Sequence, residues 1–116
     1  MPPLTYHLIP RVIWEQIDRS TQTHYEPDSV KVEGFIHCTD GEGELTATAN
    51  RHYQGTATEF RVLVLDRALI EAPVRYDDSG QIYPHIYGAL NLNAVVKVCP
   101  MEREADGHFL PFVECA

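Results

Sequence analysis

The chain has 116 residues, 44% of them hydrophobic, with nine basic against seventeen acidic side chains and a net charge of −8. That length suits one domain able to bury a core, and the acidic balance repels a phosphate backbone at long range, which argues against broad nucleic-acid binding. The longest apolar stretches, residues 62–65 and 94–98, are strand-length and bounded or broken by Arg61, Asp66 and Lys97, far short of a bilayer span.

Met1-Pro2-Pro3-Leu4-Thr5 lacks both the basic start and the long apolar run of a secretory signal, and the expected location is the cytoplasm. Residues 4–9 set Leu4, Tyr6 and Leu8 against Thr5, His7 and Ile9, as a first strand would. Pro10 closes it and opens a short helix over residues 11–19, with Trp14 placed to anchor that helix on a sheet. Residues 20–32 are polar, contain Pro27-Asp28, and read as a surface loop that could cover a site. A strand follows in Gly34-Phe35-Ile36-His37-Cys38-Thr39. A second helix then starts near Asp40-Gly41-Glu42-Gly43, runs to about Gln54 and stops at Gly55, with Leu45, Ala49 and Tyr53 as its core-facing stripe.

Residues 59–66 are apolar on both faces and belong at the centre of a sheet. One helical turn is expected over residues 67–71, ending at Pro73, and then a short strand, Val74-Arg75-Tyr76. The turn Asp77-Asp78-Ser79-Gly80 leads to Tyr83-Pro84-His85-Ile86-Tyr87-Gly88, read as another strand. Residues 94–101 form a further strand; Asp106-Gly107 marks a tight turn, and residues 109–113 are expected to pair as a last edge strand. The pattern is mixed α+β, with strands predominating after the second helix. Cys38, Cys99 and Cys115 are an odd set without close pairing, which fits a reducing compartment better than a disulfide framework; Cys38 and Cys99 read as inert packing residues.

Core strands rarely spend imidazoles freely, yet two strand-like segments each carry one. In extended geometry Phe35, His37 and Thr39 share a face, as do Tyr83, His85 and Tyr87, while Ile36, Cys38, Pro84 and Ile86 point the other way. His37 can act as acid, base or donor with the Thr39 hydroxyl beside it; the alternative is a histidine bonded to backbone inside the fold. Tyr83, His85 and Tyr87 suit stacking on a ring and donation to a ribose or phosphate oxygen, against the alternative of a packed sheet edge. His7 is either a ligand contact or a satisfied structural histidine, and Asn50 and His52 either point across to the ligand or pack the helix. Arg51 and Arg75 are the cations nearest these segments for a small anionic ligand. A zinc site is not expected: Cys-x-x-Cys, helical His-x-x-x-His and strand His-x-His are all missing, as are a Gly-x-Ser-x-Gly elbow and a glycine-rich phosphate loop.

The two histidine motifs, with Ala49-Asn50-Arg51-His52-Tyr53 between them, resemble the small bacterial family called domain of unknown function 952 over nearly the whole chain. Glu44 stands where that pattern has glutamine, Ala89 where proline often follows the glycine, and Asp77 where glutamate is common. The resemblance implies an ADP-ribosyltransferase-like fold, a split, curved β-sheet with two main flanking helices and a cleft able to hold NAD. It also implies that His7 matches the first-strand histidine that contacts an adenosine ribose. The late glutamate of such transferases has no counterpart here, since residues 82–92 contain no acidic side chain and Tyr83 or His85 occupies that region.

These readings lead to one expectation and two alternatives. The expectation is a nucleotide-like ligand, NAD or an ADP-ribosylated or phosphorylated molecule, in a cleft with His37 and His85 as the chemical pair. His7, Thr39, Asn50, Arg75, Tyr83 and Tyr87 would bind the ligand. The alternatives are a binding module without turnover and an interaction domain whose histidines are structural.

Overall fold

The computed structural model describes residues 3–115. β1 (Leu4–Pro10) leads straight into α1 (Arg11–Gln16), because Pro10 has the fixed backbone angle that suits the start of a helix. The residues expected to be loop contain a short strand, β2 (His24–Tyr25), and a five-residue helix, α2 (Asp28–Val32). Pro27 and Asp28 start that helix as well as they would break a coil, and Tyr25 is drawn into the core beside Leu90. Then come β3 (Ile36–His37), α3 (Glu42–Tyr53), β4 (Phe60–Asp66) and a single 3₁₀ turn (Arg67–Leu69). β5 (Val74–Tyr76), β6 (Pro84–Ile86), β7 (Leu90–Asn91), a second 3₁₀ turn (Leu92–Ala94) and β8 (Val95–Met101) complete the order.

The strands form three antiparallel sheets, β1-β4-β8, β2-β7 and β3-β6-β5. Where the sequence reading has a split, curved sheet with two main flanking helices, the described residues form three small sheets and three α-helices, of which only α3 is long. A reciprocal backbone pair joins the first sheet to the third: the Tyr6 N–H donates to the Thr39 carbonyl at 2.9 Å, and the Thr39 N–H donates back at 2.8 Å.

β4 is central and holds Val62, Leu63, Val64 and Leu65 fully buried, as its two-sided apolar run requires. Val62 and Val64 face a core of Tyr6, Leu45, Ala49, Phe109 and Phe112, while Leu63 and Leu65 face Ile9, Ile36, Cys38, Ile86 and Leu90. The long sheet is thus covered by α3 and the C-terminal segment on one side and by the two small sheets on the other. Between Val64 and Leu65 the register with β8 slips, leaving Val96 unpaired as a bulge at that edge.

The C-terminal segment is not the expected strand; among the described residues its one ladder contact is the Arg103–Phe109 bridge. It is held to α3 by side chains instead. Glu42, Thr46 and Asn50, spaced four apart, accept the backbone N–H groups of Glu114 at 2.6 Å, Phe112 at 2.9 Å and Phe109 at 2.8 Å. The Arg103 guanidinium closes the other end, donating to the carbonyls of Tyr53 at 2.9 Å and Thr56 at 2.7 Å. The cysteine reading is also corrected: Cys99 and Cys115 are joined by a disulfide with Cα atoms 5.7 Å apart, which removes the cysteine argument for a reducing compartment. Cys38 is a buried free thiol, as expected, and burial pushes its pKa up so that it stays protonated. No helix among the described residues is long and apolar enough to cross a membrane.

Asp106-Gly107 does form a turn, and Gly107 adopts φ +95° with its Cβ position only 2.5 Å from the Gln54 carbonyl oxygen. Gly107→Ala is expected to destabilise by more than the ~1–2 kcal/mol of a left-handed alanine alone, because backbone must also move. The urea midpoint reads this directly, and an unchanged midpoint would mean that the turn yields freely.

Candidate functional site

The site grows from strand register. β3 pairs with β6 so that Ile36 faces Ile86 and His37 faces His85, and β6 pairs with β5 so that His85 faces Arg75. Ile36 and Ile86 are fully buried, so alternation turns His37, His85 and Arg75 into one row on the opposite face. The two imidazole rings lie edge to face with centroids 5.3 Å apart. Phe35 stacks flat on His85 at 4.0 Å and touches the rings of His37 at 4.9 Å and Tyr87 at 5.3 Å, which locks the cluster.

Each imidazole has its own carboxylate. His85 Nδ1 lies 3.0 Å from Asp77 Oδ2, and His37 Nε2 lies 2.7 Å from Glu33 Oε2. A carboxylate only accepts, so those nitrogens carry the proton and the lone pairs of neutral His85 and His37 fall on Nε2 and Nδ1. The Tyr87 hydroxyl also donates to Asp77 Oδ2. Hydrogen bonds from Tyr87 and His85 hold the Asp77 carboxyl below the usual range, and the same bond raises the Tyr87 phenol.

His37, His85 and Asp77 edge a cleft of about 610 Å³. Its sheet side is His37, Cys38, Thr39, Asp77, Asp78, Tyr83 and His85, and its helix side is Thr48, Arg51, His52 and Tyr53 of α3. A smaller recess of about 160 Å³ shares His37, Thr39, Thr48 and Tyr53 and extends to His7. The Thr48 hydroxyl, common to both, is buried without a hydrogen-bond partner. Among the described residues no group of three or more His, Cys, Asp or Glu side chains is arranged to hold a metal ion.

Of the residues expected from sequence, His37, Thr39, Tyr83 and His85 line the cleft. His7 lies in the recess wall, with Nδ1 donating to the His37 carbonyl at 2.7 Å. Tyr87 and Arg75 stand outside the lining: the phenol holds Asp77, and the Arg75 guanidinium lies 5.0 Å over the Tyr87 ring. Asn50 is turned away, since its side chain caps the Phe109 N–H. Neither Asn50 nor Arg75, both expected to bind the ligand, is in the lining, and among the described residues Arg51 is the cation that is.

Asp77, Glu33 and Thr48 complete the site without having been singled out for it. Asp77 stood out in the sequence only as a turn residue and as a departure from a glutamate, and Glu33 not at all. Asp77→Asn is expected to release the Tyr87 hydroxyl and loosen His85 while leaving the fold intact. The His85 ring resonances and the Tyr87 titration would both move; unchanged values would show that the pairing does not persist in solution.

The family model described as "Protein of unknown function (DUF952)" matches residues 8–98. The crystal structure of protein CC0527 from Caulobacter crescentus superposes with a TM-score of 0.74 at 22% identity, covering 92% of this chain and 93% of that one. Its solution NMR structure gives a TM-score of 0.69 at 23% identity, with 90% of each chain covered. No curated protein matches the chain.

Proposed function

The chain belongs to the DUF952 family, and from that premise we propose that its main cleft binds a nucleotide-like ligand, with His37 and His85 as the acid–base pair. One observation carries this reading: two imidazoles stand side by side at the wall of a cleft, each backed by a carboxylate through one nitrogen. A carboxylate on one ring nitrogen fixes the tautomer and leaves the other nitrogen to act. The volume suits a small organic ligand, and convergent polar groups among aromatic walls are what such sites use to orient one.

His37 donates to a phosphate or ribose oxygen. His85 serves as acid or base, kept in one tautomer by Asp77. Thr39 and Tyr83 orient the ligand, and Arg51 takes the anion-neutralising part. The resemblance to ADP-ribosyltransferase-like folds makes NAD the first ligand to try, as an associational argument that adds nothing about chemistry.

The test is an NMR titration of the histidine ring protons with NAD, ADP-ribose and nicotinamide. Shifts confined to His37, His85 and His52, lost in His85→Ala while the backbone spectrum stays folded, are the expected result. Silence with all three ligands would overturn the nucleotide reading. Shifts without any product would identify a binding module.

A further inference from the structure

The cleft holds two acidic side chains, and neither is free. Asp77 Oδ2 accepts from His85 and Tyr87, and its Oδ1 lies 3.5 Å from Arg75. Asp78 accepts the Ile82 N–H at 2.9 Å and the Tyr83 N–H at 3.1 Å. No lining carboxylate among the described residues is left to face a developing positive centre, which glycosyl transfer from a nucleotide sugar would call for. What the lining offers instead is two proton-transfer groups and hydrogen-bond donors.

Arg51 is the one permanent cation among the described lining residues, and it stands against the two aspartates. That balance suits a singly charged group better than a dianion. The partnerless Thr48 hydroxyl on the same wall is a donor in want of an acceptor, which an anionic oxygen would supply. A net charge of −8 keeps a long polyanion away, which limits the ligand to a small molecule.

Resting on the reading of this cleft as a nucleotide site, we propose that its substrate is a small nucleoside phosphodiester, hydrolysed in line with His85 as base and His37 as acid. His85 Nε2 takes a proton from a water whose oxygen forms the new bond to phosphorus. The ester bond opposite breaks, and its oxygen leaves with the proton that protonated His37 gives up. The products are a phosphomonoester and a free hydroxyl, with no change of oxidation state. Solvent then returns a proton to His37 and removes one from His85. His37, whose side chain is 58% exposed against 18% for His85, is the better placed for reloading from water. Arg51 and Thr48 bind the non-bridging oxygens.

The experiment uses the full chain with adenosine 2′,3′-cyclic phosphate, followed by phosphorus NMR. Conversion to the monoester, falling about 10²- to 10⁴-fold in both His37→Gln and His85→Gln, is expected. Because the His37 side chain is largely exposed, that variant tests the chemistry even where His85→Gln fails to fold. Full activity in His37→Gln, or faster turnover of p-nitrophenyl phosphate than of the diester, would overturn the assignment. NAD or ADP-ribose shifting the histidine rings with no conversion of the diester would overturn it too, yet leave the nucleotide cleft standing. Silence with every ligand would remove both.

Discussion

Reduction of the Cys99–Cys115 bond is expected to lower the stability of the fold by about 3 kcal/mol, the chain-entropy value for a loop of roughly fifteen residues. The bond spans a sequence separation of 16 and closes the segment that leaves β8, turns at Gly107 and returns along α3. That segment delivers Phe109 and Phe112 to the core, so its release would strip one face of the long sheet. The Lys97–Glu114 ion pair at 3.1 Å and the three caps from Glu42, Thr46 and Asn50 would remain, and for that reason partial fraying rather than global collapse is the expected reduced state. The measurement is the urea midpoint of the oxidised protein against the same protein in reductant, with Cys115→Ser as a control that reductant should not shift. Equal midpoints for oxidised and reduced protein would mean that the bond contributes nothing.

The features legible in the sequence were those written in local periodicity. The Leu45, Ala49 and Tyr53 stripe sets α3 on the sheet, the two-sided run of residues 62–65 makes β4 central, and alternation in the two histidine motifs sends both isoleucines inward and both imidazoles outward. What stayed hidden was non-local. β2 and β7 are two residues each, too short for any alternation to show, and exist because Tyr25 and Leu90 bury together. Asn50 looked like a ligand group because it neighbours Arg51 and His52. It belongs instead with Thr46 and Glu42, four and eight positions back, in a polar stripe whose meaning appears only when the C-terminal backbone lies on it. The same holds for the acids of the site. Residues 82–92, where a late glutamate would fall, hold no acid, whereas Asp77 arrives from the end of the neighbouring strand through the β5–β6 pairing.

His7 provides the second large effect, a loss of stability between pH 6.5 and about 4. Burial lowers its pKa from the ordinary 6.5 to about 4, against the weaker opposing pull of its bond to the His37 carbonyl. The folded ring is neutral through that window while the unfolded ring takes up a proton, so the unfolded state binds more protons and stability falls with falling pH. The loss begins as pH drops through 6.5, is complete near 4, and amounts to about 3 kcal/mol, the free energy of a shift of this size. The lowered carboxyls of Asp18, Asp77 and Asp78 add their own losses only below their ordinary value of 3.8, beneath the window. His7→Asn separates the cause: its amide can keep the bond to the His37 carbonyl but does not titrate. It should be less stable at pH 7, because a buried ring is lost, and flat from pH 6.5 to 4, where the parent slopes. Urea midpoints at pH 7, 6, 5 and 4.5 decide it. A flat parent curve would mean that the ring protonates at no cost, and that the recess beside the histidine pair is open to water rather than sealed.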